Sequence, residues 1–305
     1  MLGNIYIVGK LPVSVPKVGA NGCSIVSGCS GVELVEVLGL TVWMGVLCLL
    51  VIGTLSSIPA AQTLVANERR KTSDELRAFD TFIERVKSLS PTTPSTSPDG
   101  VHLRAEQPQD GDGINRVQQA YRETIMATQH YSDEYDESLS TNLRNEFSDE
   151  IAVAVTESDG FTPQLKQALI QKGINSREER EALLQAIDAE ADTLKTARQS
   201  LRQHIRQCKT IRSQQFEARP YNELISAWQR LDALERECID CLNNRQQSIH
   251  DGYPVGYRRL SSEMFHAYLY KDLDVTYPVL VDGTRVIEHI QDAKREITRL
   301  ITRRV

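Results

Sequence analysis

The sequence predicts an all-α protein built on one transmembrane helix, and three observations carry that reading. Val37–Ile58 run 22 residues without a charged side chain. A helix of that length rises about 33 Å, enough to cross a bilayer core, where only a helix or a closed barrel satisfies its own backbone. Beyond it, apolar residues recur every three or four positions, the period of a helix face. Aromatics make up only 6 % of the chain and hydrophobic residues 40 %, a Leu/Ala/Ile-rich balance that suits helices better than a β-sandwich.

The expected order is an N-terminal leader over 1–32, a transmembrane helix over 33–60, an amphipathic juxtamembrane helix over 62–89, a linker over 90–113 and a helical domain over 114–305. Arg69, Arg70 and Lys71 follow the apolar run closely, whereas Glu33 and Glu36 flank its other end. Basic residues favour the cytoplasmic side, so the reading is a single-pass protein of the cell membrane with its C-terminal domain in the cytoplasm. A signal peptide cleaved at Ala60–Ala61 is the rival. Its difficulties are an apolar run too long for the role and a long leader.

Pro59 is expected to kink or end the membrane helix. From Gln62 to Leu89, the residues Leu76, Phe79, Ile83 and Val86 make one apolar stripe opposite a charged face. Residues 90–113 are Pro, Ser, Thr, Gly and Asp with almost nothing to bury, the composition of a linker. A helix follows from Ile114 to His130, then an acidic turn, then a helix over Ser140–Val155 broken by Asp159-Gly160. Thr162-Pro163 is a start signal, with a capping hydroxyl and Pro at the first helical position. Gly173 and Asn175 are expected to end that short helix. Ser176 with Glu179 matches a capping box for the longest helix, Ser176–Glu217.

Leu184, Ile187, Ala191, Leu194, Leu201, Ile205 and Cys208 form a coiled-coil type seam that Arg198 interrupts. Pro220 ends this helix and Asn222 caps the next, whose apolar face runs from Leu224 through Trp228, Leu231, Leu234, Cys238 and Leu242 to Ile249. The two should fold back as an antiparallel hairpin. After the break at Asp251-Gly252 come a short helix, Ser262–Lys271, and a final amphipathic one, Tyr277–Arg304.

The stretches RAFDTFIERV, AYRETIMATQHYSDEYDESLSTNLRNEF, FTPQLKQALI, RQQSIH and YLYKDLDVTYPVL resemble an uncharacterised haloarchaeal family, a domain of unknown function, over roughly residues 60–305. The resemblance implies a membrane-anchored helical protein of a halophilic archaeon. It supplies no activity and no catalytic residues. Scarce Lys, 10 against 25 Arg, beside excess carboxylates points the same way.

A net charge of −6 argues against a general nucleic-acid binder. The helix pair around Gly173 superficially suggests a DNA-reading motif, but its second helix opens on alternating Arg and Glu rather than a basic surface. No phosphate-cradling glycine loop, nucleophile elbow or zinc-protease motif occurs. The cluster Asp133, Glu134, Asp136 and Glu137 lacks the glycine and terminal Glu of a calcium loop.

The sharpest local constellation is His204, Cys208, Cys238 and Cys241. Two pairs at helical spacing on two facing helices offer one imidazole and three thiolates, a tetrahedral zinc set. The register is awkward: His204 lies opposite Cys238, whereas Cys208 is offset along the axis. Core packing competes with zinc binding and with a thiol switch for these residues. His250 and His266 could replace a missing ligand.

The expected role is a membrane-anchored interaction or scaffold protein, not an enzyme. It contacts lipid through residues 37–58 and binds partners, or itself, through the stripes Leu76–Val86 and Ile287–Ile301. The alternative is a metal- or thiol-responsive sensor on the hairpin.

Overall fold

A computed structural model describes residues 56–91, 111–158, 160–213, 216–252 and 261–304. They form helices α1 (Ser57–Ser88), α2 (Gly111–Thr124), α3 (Tyr131–Glu134), α4 (Leu139–Glu146), α5 (Asp149–Thr156), α6 (Pro163–Arg212), α7 (Tyr221–Asp251), α8 (Ser262–Leu269) and α9 (Pro278–Thr302). Single 3-10 turns follow α2 and precede α7, and no strand occurs among the described residues. The described residues make one compact unit.

Helix α6 is the spine. Residues 163–173 and 176–217 were expected as two helices, but Pro163–Arg212 is continuous over 50 residues. Thr162 starts it as expected, its hydroxyl accepting from Leu165 N at 3.2 Å. Gly173 does not break the helix, because it is there for contact. A Cβ at this position would stand 3.0 Å from Ile83 Cγ1 of α1. The missing side chain lets the two helices approach closely, against about 1 kcal/mol of helix propensity. Ser176, expected as a cap, is buried inside the helix. The suggested helix-turn-helix disappears with the break.

Helix α1 lies antiparallel along α6. Lys166, Arg177, Asp188 and Arg198 of α6 meet Lys87, Asp80, Arg69 and Gln62 of α1, rising on one helix as they fall on the other. Lys166 Nζ reaches the carbonyls of Lys87 and Leu89, both at 2.6 Å, and so caps the α1 C-terminus. The expectation set 62–89 apart as a juxtamembrane helix on a tethered domain. In the structure this helix is half of the domain's longest helix pair.

Helices α7 and α9 form the second antiparallel pair, with Lys294 on Asp232 and Glu235, Gln291 on Glu235, and the Cys238 thiol near Gly283 O. The expected hairpin of α6 and α7 exists, marked by Glu190–Arg245 and His204–Glu237. Its two arms bury most of their length against α1 and α9 instead of each other.

Two apolar cores result. One gathers Ile58, Ala61 and Val65 of α1 with α6 from Ala186 to Ile211, and with α7, α8 and α9. The other holds Phe79, Phe82 and Val86 of α1 with α2, α4, α5 and the start of α6. In the second, the predicted helix 140–155 divides in two: Ser148 sits in an extended conformation and caps α5 through Ile151 N at 3.4 Å. Both stripes expected to bind partners are consumed here. Phe79, Ile83 and Val86 are buried, and so are Ile290 and Ile297 of α9.

Among the described residues no helix is long and apolar enough to cross a membrane. Residues 37–55, most of the expected span, and the leader 1–32 lie outside the described residues. The expected end of the span is corrected. Ser57–Ala60 belong to the first turns of α1, Pro59 stands near the helix start, where its missing N–H costs nothing, and Ile58 is fully buried in the first core.

Candidate functional site

Cys208 and Cys238 are core residues of α6 and α7. Their thiols lie 3.9 Å from the carbonyls of His289 and Gly283 respectively. Those carbonyls are six residues apart on α9, about 9 Å at 1.5 Å per residue. The two thiols thus rest against different turns of α9. His204 Nε2 instead faces Glu237 at 3.7 Å. Cys241 is half-buried on α7. Among the described residues no three His, Cys, Asp or Glu side chains converge as a metal-binding group.

Burial pushes the Cys238 thiol up to about 12, with Cys241 and Glu235 adding to the effect, and raises that of Cys208 as well. The thiolate is the nucleophile, so burial disfavours attack by either sulfur. Burial also lowers the His204 pKa against the opposing pull of Glu237.

The densest buried polar group lies elsewhere in the first core. Glu190 of α6 and Arg245 of α7 pair at 2.7 Å, with side chains 0 % and 4 % exposed. The Tyr270 hydroxyl donates to the same Glu190 oxygen. Arg245 Nη2 also lies 3.1 Å from His266 Nε2, while His266 Nδ1 lies 2.6 Å from the Ser262 carbonyl. A carbonyl can only accept and a guanidinium can only donate. The imidazole therefore carries its proton on Nδ1 and accepts at Nε2. Its ring packs among Phe265, Tyr270 and Tyr277. The group is enclosed, so it acts on helix packing and not on a dissolved substrate.

Sequence reasoning named His266 only as a spare metal ligand and missed Glu190 and Arg245. Glu190 falls between Ile187 and Leu194, and Arg245 seven positions after Cys238, so each puts a charge on an apolar stripe. Two such interruptions on helices already expected to face each other were the available signal.

A second network lies beside the second core. Arg180 of α6 makes two 2.8 Å bonds to Glu146 of α4 and a 3.2 Å bond to Glu75 of α1. Glu75 also meets His130 at 2.9 Å. Burial alone would lower the Arg180 pKa, yet Glu146 and Glu75 hold it above its ordinary value. The adjoining cleft, about 30 Å³ and lined by Tyr131, Tyr135 and Asn142, has room for about one or two waters.

The third feature is where α1 begins. Asp282 of α9, fully buried, accepts from Ser57 N at 3.2 Å and Ile58 N at 2.9 Å. It supplies from another helix the cap that Ser56 does not. Arg285 Nη1 holds Asp282 at 3.1 Å and the Ser56 hydroxyl at 2.9 Å. A cut after Ala61 would remove both backbone donors and the buried Ile58.

No curated protein and no solved structure matches the chain. A protein-family model does match, over residues 56–294, and its first matched residue is the one that Arg285 holds beside the start of α1. On that match the chain belongs to the family described as a domain of unknown function, DUF7260.

Proposed function

We propose that this chain is a membrane-anchored helical interaction or scaffold protein with a non-catalytic role. In this reading residues 37–55 form the single span and the bundle stands in the cytoplasm, on the side of Arg69, Arg70 and Lys71. One observation carries it. An uncharged apolar run joins, with no spacer, a helix start that Asp282 and Arg285 fix inside the bundle. Whatever holds the run therefore holds the whole bundle. In this reading contacts with other chains use faces other than Leu76–Val86 and Ile287–Ile301, whose apolar residues are largely buried in the bundle. The excess of Arg over Lys supports the halophilic archaeal source implied by the resemblance. The metal- or thiol-sensor reading gains no support from thiols that face separate carbonyls on α9.

Alkaline carbonate extraction of membranes carrying the full chain tests the anchor. The protein is expected to stay in the membrane pellet. Its appearance in the supernatant would overturn the reading.

A further inference from the structure

Between Asp192 and Glu217 the chain carries six cations, Lys195, Arg198, Arg202, Arg206, Lys209 and Arg212, and no carboxylate. Their spacings of three and four put all six on one side of α6. This is a local departure for a protein of net charge −6. The stripe also continues a face already in use. Going along α6, Gly173, Arg177, Arg180, Asp188 and Arg198 meet α1, and four residues on, past the Gln62–Arg198 contact, the same face presents Arg202 and then Arg206. Arg202 stands about level with the first turn of α1, and Arg206 lies beyond it. Both are exposed, and for neither side chain is a hydrogen bond or ion pair seen among the described residues. Arg212 further on pairs with Glu296, and Arg285 adds a cation beside Ser56.

Arg202 and Arg206 are two cations of the stripe left for an outside anion. Back from Ser56 no carboxylate occurs until Glu36. We infer that Arg202 and Arg206, at the centre of this stripe, bind the phosphates of anionic lipid headgroups. The inference rests on the anchor reading, which sets the bilayer surface near Ser56. From Arg202 to Arg212 α6 runs on for about 15 Å at 1.5 Å per residue. Charged side chains on that length are excluded from hydrocarbon, so the last turns of α6 lie along the headgroup layer. Arginine suits the contact, because its planar fork binds a phosphate with two donors. A basic cluster next to a span is attracted to anionic lipid in this way.

The test reconstitutes the full chain, bundle outward, in phosphatidylcholine vesicles with and without phosphatidylglycerol. Arginines are modified with phenylglyoxal and read out one by one by mass spectrometry. Arg202 and Arg206 should react several-fold more slowly when the anionic lipid is present. Arg230, exposed on α7, should react equally in both. Raising salt to about 1 M, where the Debye length falls to about 3 Å, should reduce the protection. Equal reaction of Arg202 and Arg206 in both lipids would overturn the inference, as would protection by added RNA but not by the vesicles. Carbonate extraction of the same vesicles separates the two readings. Protein that resists extraction but shows no lipid-dependent protection leaves the anchor and removes the stripe's role. Extracted protein whose Arg202 and Arg206 were still protected leaves the stripe and removes the anchor.

Discussion

Arg245→Ala is expected to lower the unfolding free energy by about 3–5 kcal/mol, because it strands the Glu190 carboxylate inside the first core. The cost comes from the carboxylate left behind and not from the strength of the pair. Moving two charges out of water consumes most of their mutual attraction, so the intact pair adds little net stability. A Glu190→Leu/Arg245→Met double variant should therefore recover most of the loss. Tyr270 and His266 would each lose a polar partner in it, which keeps the recovery incomplete. Urea unfolding followed by circular dichroism reads both variants. A loss under about 1 kcal/mol for Arg245→Ala would mean that water reaches the pair.

Phe82→Ala should cost a similar amount, about 3–5 kcal/mol, and should act on the other half of the molecule. Phe82 is fully buried, edge-on to Tyr121 at 5.4 Å and tilted on Phe147 at 6.0 Å. It joins α1 to Tyr121 of α2 and to Phe147, the residue that follows α4. The Tyr121 hydroxyl is itself fixed by Asn142 at 2.7 Å. Removing the ring opens a cavity at the centre of this cluster. Hydrogen exchange should show amides of α2, α4 and α5 losing protection, while α7 and α9 keep theirs. Equal loss in both regions would show that the two cores unfold as one unit.

Helical periodicity placed α1, α7, α8 and α9 within a few residues, since their buried faces follow the period of three and four. It failed where one residue served two purposes. Gly173 and Ser176 carry the local signature of a stop and a restart, yet one admits Ile83 and the other is buried mid-helix. A close approach between helices distant in sequence leaves no local trace. Ser148 shows the opposite error: its capping power was overlooked inside an apolar pattern.

The partner of each helix was harder to read. The turn near Pro220 implied that α6 and α7 pair, and they do. The more extensive contacts with α1 and α9 join segments far apart in the chain, which spacing alone does not match up. The surroundings of the metal candidates were hidden for the same reason. His204, Cys208, Cys238 and Cys241 were judged on two helices, whereas α9 stands beside both and receives two of the thiols. The stripe on α6 was fully legible as six cations without a carboxylate. Attention to the apolar seam hid it, with Arg198 taken only as an interruption.

The central claim is that α1 belongs to the bundle and is not the stem of a tether. A protease site placed within residues 92–110, in full-length protein tagged at its N-terminus, tests it most directly. After complete cleavage, the fragment carrying α2–α9 should co-purify with the tagged fragment under native conditions and separate from it only in denaturant. Release of that fragment into the flow-through under native conditions would contradict the account.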